Sequence, residues 1–280
     1  MRFFILLGLF WAQSAIAQSA FATFDRASEA FLSDPHDLAI GPDGHLYVAD
    51  KFANRIVILD SETLEIVGVV QDGGLPNVHD ISFAADGRAF VAVTAAHSVA
   101  EMVFENDAWA VTDVLRPFYN TEGVLAHSNG RTYVMASGTG EVIMMNGRDL
   151  LGVAPGFPGA HDVIEGRDGS IWVADTRRAR LVQLSPELEQ IKVIDGLGMI
   201  GPRYMDTDAA GRLVVADQDG HRILLIDPDT GALLGTLGDG LPGIGPGKFD
   251  DPEGVAVSGN RYYFADSDNN RIVKYVVVLN

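Results

Sequence analysis

Over most of the chain, apolar and polar residues alternate in short runs, and glycine, asparagine or aspartate interrupts each run within a few residues. Leu46-Tyr47-Val48-Ala49, Arg55-Ile56-Val57-Ile58 and Arg222-Ile223-Leu224-Leu225 are representative. Such runs bounded by turn residues predict short, half-buried β-strands. From residue 18 onward no ten-residue stretch keeps the 3.6-residue period of an amphipathic helix, so the pattern predicts an all-β chain.

The same succession of runs returns again and again. Pro35-His36-Asp37-Leu38-Ala39-Ile40 leads to the turn Asp43-Gly44, then to a strand ending at Asp50, then to Asn54-Arg55-Ile56-Val57. Corresponding turn residues at Gly44, Gly87, Gly130, Gly169, Gly211 and Asn260 mark six units, spaced 43, 43, 39, 42 and 49 residues apart. Four short strands in roughly 40–45 residues is the content of one propeller blade. Residues 18–280 are therefore expected to form a single six-bladed β-propeller. The sixth unit runs out of sequence after three strands. The segment Phe21–Phe31, ahead of the first unit, is expected to supply the fourth strand and close the ring, which removes an open sheet edge.

Four units carry an Asp followed five residues later by an Arg: Asp50 and Arg55, Asp175 and Arg180, Asp217 and Arg222, Asp266 and Arg271. A charge-assisted contact across the loop between second and third strands would fix that turn, so the pair is read as architectural. Units two and three lack it, with Val93 and Ala136 at the Asp position.

Composition narrows the function. With 20 Lys+Arg against 38 Asp+Glu the formal charge is −18, which works against nucleic-acid backbones and anionic lipid surfaces. The absence of cysteine excludes disulfides, thiolate metal sites and a cysteine nucleophile. Arg2, the apolar run Phe3–Ala12 and the small-x-small pattern Ala15-Ile16-Ala17 read as a secretory signal peptide over residues 1–17. The run is well short of the ~20 residues of a membrane span. A monomer in the periplasm or outside the cell is expected, with a small-molecule or peptide substrate and no nucleic-acid or membrane partner.

Six equivalent positions, the two residues after each unit's entry Pro or its counterpart, would converge on one mouth of the propeller channel. They read His36-Asp37, His79-Asp80, Glu122-Gly123, His161-Asp162, Arg203-Tyr204 and Glu253-Gly254. Three of the seven histidines thus share one repeat position, although Glu and Arg at the same position show that blade packing does not demand imidazole. Imidazoles and carboxylates on one axis have the donor chemistry of a divalent ion, zinc first and calcium or iron next. His79, His161 and Glu253, assisted by His36, are the expected ligands. His45, His127 and His221 fit no such pattern and are expected at the surface or in turns.

The stretch Gly245-Pro246-Gly247-Lys248-Phe249-Asp250-Asp251-Pro252-Glu253-Gly254-Val255-Ala256-Val257, followed by Tyr263-Phe264-Ala265-Asp266 and Asn270-Arg271-Ile272, resembles an NHL repeat. That resemblance implies an NHL-type propeller. Among such propellers the peptidyl-hydroxyglycine lyases look closest at Pro35-His36-Asp37, Val78-His79-Asp80 and Ala160-His161-Asp162, which resemble the Pro-His-x segments that hold their zinc. The same resemblance implies a catalytic Tyr in the loop after a blade's second strand; here Phe52 occupies that place, and Tyr204 is the substitute. It also implies an Arg that holds the substrate carboxylate, for which Arg177, Arg178 and Arg203 are candidates. The expected activity is a metal-dependent lyase or hydrolase acting on a small or peptide-like carboxylate. The alternatives are a non-catalytic propeller that docks a protein, peptide or glycan, and a lactonase of the senescence-marker-protein type.

Overall fold

A computed structural model describes residues 20–71 and 74–277. The expected signal peptide over 1–17 lies outside the described residues. The chain forms six four-stranded antiparallel sheets, and the first strands of neighbouring blades pack against one another in a closed ring. These inner strands are Pro35–Ile40, Val78–Phe83, Thr121–Ala126, Val163–Glu165, Pro202–Thr207 and Pro252–Ser258, in blades 1 to 6. The only helical segments among the described residues are three single 3-10 turns, at Thr94–Ala96, Thr176–Arg178 and Gln218–Gly220.

The alternation read from sequence sorts side chains as expected. Second strands such as Leu46–Asp50, Ala89–Val93 and Leu213–Asp217 lie in the middle of each sheet and are buried throughout. Their apolar residues fill six clusters, most of which draw on two adjacent blades. One of them joins Tyr47 and Ile56 of blade 1 to Val91 and Met102 of blade 2.

Ring closure follows the expected scheme. Thr23–Ala27 pairs antiparallel with Arg271–Val276 and becomes the outer strand of blade 6. The first and last strands of the described chain therefore share one sheet, so that closure rests on backbone hydrogen bonds rather than on blade packing alone.

The Asp–Arg pairs are structural, as expected. Nε of Arg55, Arg180, Arg222 and Arg271 donates to the paired carboxylate at 2.6, 2.7, 2.8 and 2.8 Å. Each of these aspartates is fully buried. The second carboxylate oxygen accepts backbone N–H groups from the loop leading into the same blade, including Ser33 on Asp50, Ile200 and Gly201 on Asp217, and Asp250 on Asp266. One buried anion thereby ties two loops together, and the Arg neutralises it.

Candidate functional site

In five of the six inner strands the pairing register slips at the residues named for the channel mouth, between Pro35 and Leu38, Val78 and Asp80, Thr121 and Gly123, Pro202 and Met205, and Pro252 and Val255. A β-bulge re-aims side chains out of the sheet, and here it turns these residues toward the channel. In blade 4 the regular strand starts only at Val163, just after His161-Asp162. Two residues ahead of each His or Glu stands a left-handed residue: Asp34, Asn77, Asn120, Gly159 or Asp251. Asx and Gly are the residues that tolerate this conformation, so the repeated turn explains their presence.

Glycine follows glutamate for a steric reason. A Cβ on Gly254 would lie 2.2 Å from the carbonyl oxygen of His36, and one on Gly123 would lie 2.6 Å from that of His161. The missing side chains let Glu253 settle beside His36 and Glu122 beside His161. The Asp that follows each His has a separate task. Asp37, Asp80 and Asp162 accept the backbone N–H of Val255, Val124 and Met205 on neighbouring inner strands, at 3.4, 2.5 and 2.8 Å. They satisfy donors that would otherwise face the channel unpaired. With Asp206 they line a channel cavity of about 320 Å3 below the histidines.

The mouth itself is a ring of imidazoles and charged groups. His36 Nε2 lies 2.9 Å from Glu253 Oε2, and His79 Nε2 lies 3.1 Å from Glu122 Oε2. Nη1 of Arg203 reaches His161 Nε2 at 2.5 Å, while Nη2 donates to Glu253 Oε1 at 3.3 Å. Gln218 donates to the same Glu253 oxygen at 2.6 Å. The far sides of the rings are held as well, His79 Nδ1 on the Asn77 carbonyl and His161 Nδ1 on Thr176 Oγ1, each at 3.0 Å.

Burial, reinforced by Lys51 and Arg203 at His36 and by Arg203 at His161, holds both well below the ordinary imidazole pKa, and burial beside His36 does the same to His79. All three are neutral at pH 7, the state a metal ligand requires. Burial raises Glu253 despite Arg203 and Lys51, and pushes Glu122 up to about 7.

The predicted ligands are brought together, but not as the expected set. His79 faces Glu122 and His161 faces Arg203, whereas His36 and Glu253 keep unused donor atoms. His36 Nδ1 and Glu253 Oε2 are buried without a hydrogen-bond partner; the 2.9 Å approach of His36 Nε2 to Oε2 lacks hydrogen-bond angles. Asp34 completes a group whose ligand atoms lie within 4.8 Å of one another. Two ligands about 2.1 Å from a zinc ion stand roughly 3–3.5 Å apart; His36 Nε2 and Glu253 Oε2, at 2.9 Å, come close to that spacing, while His36 Nδ1 lies 3.8 Å from Asp34 Oδ1.

Other predicted residues lie elsewhere. Tyr204 is fully buried behind the mouth, its hydroxyl on the Glu122 carbonyl oxygen at 3.3 Å, and burial pushes its pKa well above that of a free phenol. Arg177 is exposed and folds over Gly159, while Arg178 is exposed and donates to the Gly156 carbonyl and to Asp175. His127, expected at the surface or in a turn, opens the turn closed by the Gly130 N–H on its carbonyl oxygen but is itself buried, with Nε2 at 3.0 Å from the Gly169 carbonyl oxygen. Asp34 and Glu122 were not among the expected site residues. The repeat contained both signals: Glu122 shares the histidines' position, and Asp34 is the Asx two residues ahead of His36.

Residues 32–59 and 249–275 match the NHL repeat family, on blades 1 and 6. The chain is a six-bladed β-propeller that carries NHL repeats in its first and last blades. Over 82 residues, 27% of this chain, it is 37% identical to NHL repeat-containing protein 2 of Gallus gallus, and it spans 11% of that relative's length. Virginiamycin B lyase from Staphylococcus aureus superimposes over 90% of this chain and 99% of its own, with a TM-score of 0.66 and 12% identity. An auxiliary nutrient binding protein from Bacteroides thetaiotaomicron does so over 92% of this chain and 75% of its own, with a TM-score of 0.70 and 16% identity. At such identities the NHL-repeat propeller shares with these two its fold alone.

Proposed function

We propose that this propeller is a secreted or periplasmic metal-dependent lyase or hydrolase, with its ion on His36 and Glu253 at the channel mouth. The single observation that carries this reading is the buried Glu253 Oε2, which has no hydrogen-bond partner although His36 Nε2 stands 2.9 Å away. An unsatisfied buried polar atom costs ~1–3 kcal/mol, and a cation held between His36 Nε2 and Glu253 Oε2 would offset that cost at the carboxylate. Asp34 supplies a third ligand, with His79 and His161 within the same ring of side chains. A bound ion of this kind polarises a carbonyl oxygen or lowers the pKa of bound water to about 7.

The chain's own residues supply the rest. Glu122, with its carboxyl near 7 and Oε2 3.1 Å from His79 Nε2, can hold or release a proton at working pH. It takes the proton-moving role expected of Tyr204, whose hydroxyl faces a backbone carbonyl. Arg203, whose Nε is buried without a hydrogen-bond partner, favours a carboxylate-bearing substrate of small-molecule or peptide-like kind at the mouth. Virginiamycin B lyase, a similar fold of which a histidine-to-alanine variant is catalytically inactive, supports a histidine-dependent lyase on this scaffold.

Metal analysis of the monomer purified without a histidine tag tests the reading. About one zinc, iron or calcium ion per chain is expected, lost in His36→Ala and Glu253→Gln. A protein that carries no ion and takes up none on titration would leave the docking propeller as the better reading.

A further inference from the structure

Beside the His36–Glu253 pair lies a cavity of about 370 Å3, open to the outside and lined by Asp34, Lys51, Phe52, Arg203, Gln218, Asp251, Glu253 and Asp268, among others. Its charges do not cancel. Lys51 Nζ is taken by Asp34 at 2.8 Å, and Arg203 by Glu253 and His161. Asp251 receives only the neutral amide of Gln218, at 2.8 Å. The Asp268 carboxylate has no hydrogen-bond or ion-pair partner among the described residues, and burial together with repulsion from Asp250, Asp34 and Glu253 raises its pKa. Glu253, which is 2% exposed, borders the same cavity and leaves Oε2 unpartnered. Lys51 is thus spent on Asp34 and only Nε of Arg203 is left without a partner, so the wall formed by Asp251 and Asp268 remains negative. Phe52, 62% exposed, provides the cavity's apolar contact.

From this we infer that the substrate of the proposed site is a zwitterion, carrying an ammonium group that is received by Asp251 and Asp268 and an apolar portion that lies on Phe52. The inference rests on the proposed function for the carboxylate end only. Two carboxylates around one ammonium give charge-assisted hydrogen bonds that a neutral group cannot replace. The half-exposed setting makes their contribution sensitive to salt.

The test compares two probes that differ by one ammonium group. L-phenylalanine and 3-phenylpropionate are titrated calorimetrically into zinc-loaded protein at low salt and at 0.5 M salt, and again after chelation. L-phenylalanine is expected to bind at least tenfold more tightly, with the ratio shrinking at high salt. Asp268→Asn should remove most of that preference while leaving 3-phenylpropionate binding and zinc content unchanged. Equal binding of the two probes, failure of both to bind, or a preference that survives in both Asp268→Asn and Asp251→Asn would overturn the inference. Failure of the metal reading shows separately, as absence of zinc and insensitivity of both probes to chelation.

Discussion

His36 Nε2 and Glu253 Oε2, from the first blade and the last, stand 2.9 Å apart across the seam of the ring without the angles of a hydrogen bond. Neither blade can shift without opening this contact. A methyl group on Gly254 would strike the His36 carbonyl oxygen, so Gly254→Ala must push the two inner strands apart. We expect that variant to lose bound metal and to melt at least several degrees lower. A Gly254→Ala protein with full metal occupancy would show that the close approach does not build the site.

Metal occupancy should follow the depressed imidazoles. A histidine whose pKa lies well below the ordinary value stays neutral, and so able to ligate, to lower pH. Zinc content measured after dialysis between pH 7.5 and 4.5 should therefore fall with a midpoint below about 6, beneath the free imidazole value near 6.5. His45→Ala should leave the curve unchanged, because His45 sits in an exposed turn with Asp43. Half-loss at pH 6.5 or above would contradict the burial argument.

For the architectural pairs, Arg222→Ala is the sharpest case. It leaves the fully buried Asp217 carboxylate with two backbone N–H donors and no countercharge. The cost is on the order of 2 kcal/mol, or about 4–8 °C in Tm for a chain of this size. Zinc content should not change; loss of metal at constant Tm would instead place the pair in the site.

Asp206 lies half-buried in the channel wall, where one carboxyl oxygen accepts the Val257 N–H at 2.7 Å, the other accepts the Thr207 N–H at 2.6 Å, and desolvation pushes its pKa up to about 7. A raised pKa favours the protonated form in the folded state. The stability this gives is complete below the unfolded value near 3.8 and is lost as pH rises through 7. Asp206→Asn keeps an acceptor for Val257 and removes the titration. It should be more stable than the parent at pH 8, by about 1–3 kcal/mol, with the difference smaller at pH 5 and gone only below the unfolded value near 3.8. Calorimetric melting at the two pH values checks this, and a variant equally or less stable at pH 8 would refute it.

Legibility differed between fold and site for a physical reason. Strand runs, glycine turns and the Asp-x4-Arg spacing are local signals, and so the six blades, the closing strand and the turn-fixing pairs could be read from sequence. Which residues face the mouth could also be read, because the repeat fixes their position. Their partners could not. His79 chooses Glu122 and Arg203 chooses His161 through bulges and blade rotation, and Tyr204 follows its own side chain inward to the Glu122 carbonyl. The isolation of His36 and Glu253 depends on those choices.

The strand that completes blade 6 also sets a timetable. Thr23–Ala27 leaves the ribosome before any blade, yet its partner Arg271–Val276 is made last, so the early segment must wait for almost the whole chain. Until then blade 6 lacks its outer strand, and His36 has no Glu253 beside it. Five blades can assemble during synthesis, but the mouth comes into being only at the final step. A nascent or truncated chain would therefore be inert toward its ion, and acquisition of metal would report that the circle has been joined.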